Sequence, residues 1–244
     1  MQIIKLDATH STNLYLKKLS VEKQLEDFTI VVTEDQFEGR GQRGAVWQSE
    51  KGKNLTFSIF KRIGDLAIRH QFAIGMCTAL AVYNCLDEYD VPDLRVKWPN
   101  DIMSGQKKIC GILIENTFAS GTIKSAIIGI GLNVNQTNFD GMEKASSLKL
   151  VCNKSFDLDE LMTGIAQKLY AQFAALPEKG FNRLQQHYEA VLFRKDKPST
   201  FKGIDGVNFS GIIRGISDTG KLNVEIEGRK IVAFDLKEIA MMLN

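Results

Sequence analysis

Three glycines and two arginines stand within six residues, Gly39-Arg40-Gly41-Gln42-Arg43-Gly44, followed by Ala45-Val46-Trp47. Glycine has no Cβ, so its backbone N–H groups can approach a ligand closely, and successive N–H groups in a turn form an anion-binding concavity. Guanidiniums add fixed charge and forked donors for phosphate or carboxylate oxygens. The spacing satisfies G-x-G-x-x-G, and Val46 completes its kinase form. A dinucleotide fold, however, requires that loop to open a helix. Here it runs through a polar stretch into residues 54–60, Asn-Leu-Thr-Phe-Ser-Ile-Phe, which read as a strand. No V-A-I-K, H-R-D or D-F-G follows, which removes the kinase. Two readings remain for the loop alone: a solvated basic turn, or a clamp on an anionic ligand carried by a sheet.

The rest of the chain supplies that sheet. Residues 1–7 read as a short first strand and residues 14–19 take on a helical period. Residues 28–33 are a β-branched run, typical of a buried strand. Residues 54–62 alternate Leu55, Phe57 and Ile59 against polar neighbours. Residues 68–86, rich in Ala, Leu and Met, predict a core helix. Residues 93–98 form a strand that Pro99 ends, because proline cannot donate to a ladder. Residues 101–109 predict a hairpin turning at Ser104-Gly105, which brings Asn100 and Asp101 near Lys108 and Ile109. Residues 112–115 and 123–134 continue an antiparallel sheet, and residues 138–155 read as an irregular flank. Residues 158–176 and 180–192 predict two helices, the first capped by Asp157. After Arg194 the texture changes to short strands at residues 197–201, 208–217, 221–227 and 230–234, separated by glycines. That pattern predicts a small β-barrel of about fifty residues.

Composition narrows the partners. With 31 basic and 29 acidic residues in 244, the net charge is +2, too balanced for a general nucleic-acid binder. Cys77, Cys85, Cys110 and Cys152 form no C-x-x-C pair, and only His10, His70 and His187 stand beside them. No zinc site is readable. There is no signal peptide and no apolar run of membrane-spanning length. A cytoplasmic protein with reduced thiols, not bound to a membrane, is expected.

Three further motifs follow the loop: Lys97-Trp98-Pro99-Asn100-Asp101, Lys108-Ile109-Cys110-Gly111-Ile112-Leu113-Ile114-Glu115, and Gly129-Ile130-Gly131-Leu132-Asn133-Val134-Asn135. With Ser11-Thr12-Asn13 ahead of them, they resemble in order and spacing the biotin protein ligases. That family carries S-T-N, G-R-G-R-R-G-x-x-W, K-W-P-N-D, K-x-x-G-I-L-x-E and G-x-G-x-N-x-N. One departure stands out: Gln42 occupies a position where the family commonly has arginine.

The resemblance implies an α+β fold, a mixed/antiparallel sheet flanked by helices over residues 1–194. A small SH3-like C-terminal barrel would occupy residues 195–244. It implies ATP and biotin as substrates, Mg2+ with the triphosphate, and a biotin carboxyl carrier protein or domain as partner, the enzyme being a monomer or homodimer. Biotin carboxylate attacks the α-phosphate to give biotinyl-adenylate, and a carrier lysine then takes the biotinyl group. Neither step needs a protein nucleophile; both need charge stabilisation and exclusion of water. By the resemblance, Ser11, Thr12, Asn13, Gln36, Gly39, Gly41 and Gly111 bind biotin. Arg40, Gln42 and Lys108 line its carboxylate and the phosphate, with Lys108, Arg40 and Arg43 as the catalytic cations. Trp47, Asn100 and Asn133 join Arg40, Gln42 and Lys108 on the ATP side. Asp101 is the candidate magnesium ligand. Trp47 and Trp98 also read as packing residues at the pocket wall. Ser11 or Thr12 reads equally as a helix N-cap.

Two other classes share these motifs. A lipoate or octanoate ligase or acyltransferase of the same superfamily is one, and its thioester form would use Cys110. A biotin-responsive regulator is the other. It would carry a winged helix-turn-helix ahead of the catalytic domain, but Ser11 stands too near the start to leave room for one, so no DNA partner is expected.

Overall fold

The β-branched run after Phe28 forms a strand, β2 (Thr29–Gln36), and it pairs on both sides. A computed structural model describes residues 1–242, except for the side chains of residues 43, 65 and 177–179. On one side of β2 lies β1 (Ile3–Thr9), parallel to it; on the other lies β3 (Leu55–Ala67), antiparallel. The sheet continues through β4 (Leu94–Lys97), β5 (Asp101–Ser104), β6 (Lys107–Ala119) and β7 (Thr122–Leu132) in the order β1-β2-β3-β7-β6-β5-β4. One parallel pair among antiparallel ones makes it mixed. The predicted hairpin is present: Gly105, at φ 57°, turns β5 into β6.

The side-chain period of two sorts the sheet into two faces. One face meets α1 (Thr12–Glu22), whose Leu16 packs with Leu25, Val31 and Ile127. The other meets α2 (Phe72–Asp87), so rich in Ala and aliphatic residues that most of it is buried. Against α2 lies α4 (Leu158–Ala190), started by Asp157, whose carboxylate accepts from Glu160 N at 2.9 Å. The two predicted helices are one path interrupted at Gly180, whose φ of 70° lies in the left-handed region. The flank expected to be irregular contains a short helix, α3 (Leu148–Cys152), capped by Ser147.

The C-terminal strands are β8 (Pro198–Gly203), β9 (Asn208–Ile216), β10 (Leu222–Ile226), β11 (Lys230–Phe234) and β12 (Ile239–Met241). They form one antiparallel sheet ordered β11-β10-β9-β8-β12. The expected closed barrel is corrected: β11 and β12 are the two edges and do not pair among the described residues. The chain leaves β11 through a tight turn, in which Asp235 N donates to Glu238 Oε2 and Leu236 N to Asp235 Oδ1. It then crosses to the far side of β8, adding a three-residue strand that the sequence pattern did not show. One cluster of buried side chains holds both sheets, with Tyr188, Leu192 and Val96 meeting Phe201, Ile213 and Leu222.

Candidate active site

Polar residues lie wholly inside the molecule where α1 begins. Ser11 Oγ accepts from Leu14 N at 3.5 Å, so Ser11 is the N-cap, one of its two sequence readings. Thr12 and Asn13 turn onto the sheet and are 3% and 5% exposed. Gln36 ends β2 beside them, its Oε1 accepting from Thr12 N at 2.9 Å. Ser58, in the middle of β3 and 0% exposed, stands 2.7 Å from Thr12 Oγ1 and 2.6 Å from Asn13 Oδ1. Asn13 Nδ2 donates to Glu115 Oε2 at 2.9 Å and Leu113 O at 3.3 Å. Buried polar groups persist only when partnered, and this patch is partnered almost throughout. Gly129 makes room for it, because a Cβ there would stand 2.4 Å from Asn13 Oδ1.

The glycine–arginine loop closes over this wall as a turn bonded mainly to itself. Gly41 N donates to Ala45 O at 2.6 Å and Trp47 N to Gly39 O at 2.9 Å. A Cβ on Gly39 would meet Trp47 O at 2.2 Å, so the turn cannot carry a larger residue there without opening. Arg40 and Val46 face solvent. Trp47 swings inward instead. Its ring lies against Gly131, where a Cβ would be 2.4 Å away, and Lys108 Nζ is 5.6 Å from the ring centre. The indole N–H is buried and has no hydrogen-bond partner among the described residues, and neither has Thr56 Oγ1.

Lys108 opens β6 and is held by two elements. Its backbone N–H donates to Lys144 O at 2.8 Å, and its carbonyl accepts from Ser146 N at 3.0 Å, so the 144–146 segment straps it in place. Its ammonium forms an ion pair with Asp101, 2.6 Å from Oδ1. Lys97 Nζ is 3.8 Å from Asp101 Oδ2. Burial lowers the Lys97 pKa, Lys108 and Lys144 lower it further, and Asp101 opposes them.

Thr12, Asn13, Gln36, the loop, Trp47, Asp101 and Lys108 line one cavity of about 190 Å3, with Ser58 and Glu115 behind its wall. Of the residues expected from the sequence, Ser11, Thr12, Asn13, Gln36, Arg40, Gly41, Gln42, Trp47, Asn100, Asp101, Lys108 and Gly111 line it. Gln42 and Asn100 also line a second cavity of about 210 Å3 that reaches Lys97 and the C-terminal sheet, so they stand where the two spaces meet. Gly39 lies behind the lining. Asn133 is apart from it, its amide donating to Ser146 O at 3.0 Å, where it braces the strap behind Lys108. The side chain of Arg43 lies outside the described residues. Trp98 is not a wall residue of the first cavity; its indole N–H donates to Gly220 O at 2.9 Å and ties β4 to the second sheet.

Sequence reasoning missed Thr56, Ser58, Glu115 and the 144–146 strap. Thr56 and Ser58 carried a signal: polar residues alternating with Leu55, Phe57 and Ile59 in a strand inside the sheet imply a polar space on the opposite face.

The metal expectation does not fit. Asp101 is the only carboxylate lining the cavity and is engaged by lysines, and no group of three potential metal-binding side chains occurs among the described residues. Cys110 is wholly buried, and burial raises its pKa above the ordinary thiol range. A reactive thiolate has the opposite surroundings.

The bifunctional ligase/repressor BirA of Bacillus subtilis is 29% identical to this chain over 215 residues, 86% of this chain and 66% of that protein. The biotin–[acetyl-CoA-carboxylase] ligase of Paracoccus denitrificans is 27% identical over 224 residues, 89% of this chain and 91% of that protein. The biotin protein ligase of Aquifex aeolicus, solved in complex with biotin and ATP, superimposes with a TM-score of 0.82. It is 24% identical, and the match covers all of this chain and 99% of that one. The profile of the biotin/lipoate A/B protein ligase family matches residues 6–133, which carry the buried polar wall, the glycine–arginine loop and Lys108. This chain belongs to the biotin/lipoate A/B protein ligase family.

Proposed function

We propose that the protein is a biotin–protein ligase, forming biotinyl-adenylate from biotin and ATP and transferring biotin to a lysine of a biotin carboxyl carrier domain. The observation that carries this reading is the junction, in one cavity, of a buried hydrogen-bonding wall with a cationic mouth. Biotin has the matching two ends, a cyclic urea and a carboxylate. The reading also fits the named activities of the Bacillus and Paracoccus relatives.

Thr12, Asn13 and Gln36 hold the urea ring with Ser58 behind them, and Gly129 and Gly131 leave space for Asn13 and Trp47 to close around it. Arg40 and Lys108 face the carboxylate as it approaches the α-phosphate. Two anions repel each other, so the barrier falls when cations already stand between them. Lys108 does this from a fixed base, its backbone strapped by Lys144 and Ser146. As the carboxylate attacks phosphorus, pyrophosphate leaves, and the positive charge offsets the charge gathering on the phosphoryl oxygens. Gln42 and Asn100 border the nucleotide. Trp47 and the loop shield the mixed anhydride from water until a carrier lysine attacks its carbonyl and releases AMP. Magnesium accompanying ATP is part of the proposal; Asp101 alone does not make a site for it, and no step is assigned to it.

The lipoate or octanoate alternative meets the same wall with the wrong chemistry. A dithiolane or an alkyl end offers no hydrogen bonds, so insertion would strip water from Thr12, Asn13 and Gln36 without replacing it. Incubation with ATP, biotin and a carrier domain, followed by mass measurement of the carrier, tests the choice. A gain of one biotinyl group is expected. No gain with biotin, alongside a gain with lipoate or octanoate, overturns the reading.

A further inference from the structure

Glu115 lies on β6 beyond the cavity lining, yet its carboxylate reaches back to the buried wall. Oε2 accepts one hydrogen of Asn13 Nδ2 at 2.9 Å, and Leu113 O takes the other at 3.3 Å. A carboxylate and a carbonyl can only accept here, so the Asn13 amide is held with nitrogen outward and Oδ1 inward. Oδ1 packs against Gly129 and stands 2.6 Å from Ser58 Oγ. Ser58 has a single proton for two oxygen neighbours. Asn13 Oδ1 cannot donate, so that proton goes to Asn13, and at the 2.7 Å contact Ser58 Oγ can only accept from Thr12 Oγ1, whose proton it shares with Gln36 Oε1 at 3.3 Å. Gln36 is turned the other way. Its Oε1 accepts from Thr12 N, which leaves Nε2 as the available donor. The wall thus offers an oxygen lone pair at Asn13, with Ser58 behind it, and N–H groups at Gln36, the complement of a carbonyl beside a ring N–H.

We infer that Glu115 is a positioning residue: its carboxylate fixes the donor–acceptor order of the wall, and thereby its preference for a cyclic urea. This rests on the proposed biotin reading. Lys17, 3.4 Å from the other carboxylate oxygen and mostly exposed, serves as a bystander for comparison. Replacing Glu115 by glutamine places a donor opposite Asn13, so the amide can invert and present Nδ2 to the ligand.

The test is steady-state pyrophosphate release by the full chain with biotin and with its cyclic carbamate analogue, in which a ring oxygen replaces the N–H that faces Asn13. In Glu115→Gln the KM for biotin should rise about tenfold or more, the scale of one charged hydrogen bond. The kcat should stay within about twofold, since the lost contact acts equally before and during reaction. The preference for biotin over the carbamate should shrink by about tenfold, because a ring oxygen gains the donor that an inverted Asn13 presents where the ring N–H of biotin loses its acceptor. Glu115→Asp, still an acceptor only, should keep most of that preference and carries the same test if Glu115→Gln does not fold. Lys17→Ala should match wild type. Loss of both ligands in equal proportion, or an unchanged preference, would overturn the inference and leave Glu115 a structural support. Wild-type protein releasing no pyrophosphate with biotin would overturn the proposed function together with it.

Discussion

The two sides of the cavity are built on opposite principles. The wall proposed to meet the ring is made of side chains 0–8% exposed, carried by α1, β2 and β3 and hydrogen-bonded to one another. The mouth proposed to meet phosphate is a turn whose backbone bonds lie mostly within itself, with Arg40 exposed at the cavity rim and Val46 70% exposed. A cyclic urea must be recognised by direction, and a rigid, desolvated wall loses little entropy in doing so. A phosphate must be let in and a product let out, which suits a turn bonded mainly to itself. Lys108 belongs to neither class: it has the wall's fixed backbone and the mouth's charge, and the comparison makes it the hinge between binding and chemistry.

Removing that charge should have the largest effect. Lys108→Ala should slow biotin-dependent pyrophosphate release by about a hundredfold or more while the melting temperature changes little. A folded variant with a near wild-type rate would assign the chemistry to Arg40 or Arg43. Damage to the wall should act on binding instead. Gly129→Ala puts a methyl group 2.4 Å from Asn13 Oδ1. Overpacking of this kind costs roughly 1–3 kcal/mol, which translates to about a ten- to hundredfold weaker biotin affinity by calorimetry. Unchanged affinity would mean that Asn13 is not held for the ligand.

A third prediction separates the regions by motion. Biotin with ATP should slow hydrogen exchange strongly over residues 37–47 and hardly at all over residues 29–36 or 55–60. Equal slowing everywhere would erase the distinction between wall and mouth. The smallest effect concerns Gln42, which lines both cavities but brings no charge. A neutral hydrogen bond is worth ~0.5–1.5 kcal/mol, roughly half a charged one. Gln42→Arg should therefore slow escape of biotinyl-adenylate about tenfold or less, seen as less free biotinyl-AMP and less labelling of bystander lysines. An escape rate that is unchanged or faster shows that other groups already supply the charge.

The sequence was legible wherever local chemistry leaves a mark. The hairpin at Ser104-Gly105, the Asp157 cap, the Ala-rich core helix and the approach of Asp101 to Lys108 all follow from turn residues, periodicity and strand pairing. The parts that stayed hidden are long-range. Asn13 meets Glu115 across 102 positions and Ser58 across 45. No local period encodes such partners; only the register of β3, β6 and β7 brings them together. The strap on Lys108 was hidden because its bonds are backbone to backbone, and any residues at 144–146 would show the same pattern. Short strands announced the second sheet, but closure depends on where the two edges meet, which strand counting does not carry.

The most direct test is a single turnover without carrier protein. Enzyme in excess over ATP is mixed with saturating biotin, and pyrophosphate and bound nucleotide are followed together. One pyrophosphate per ATP is expected, only when biotin is present, with the nucleotide retained on the enzyme as biotinyl-AMP until a carrier domain is added. Pyrophosphate release independent of biotin, or biotin bound with no adenylate formed, would contradict a cavity whose wall selects the ring and whose cations drive its activation.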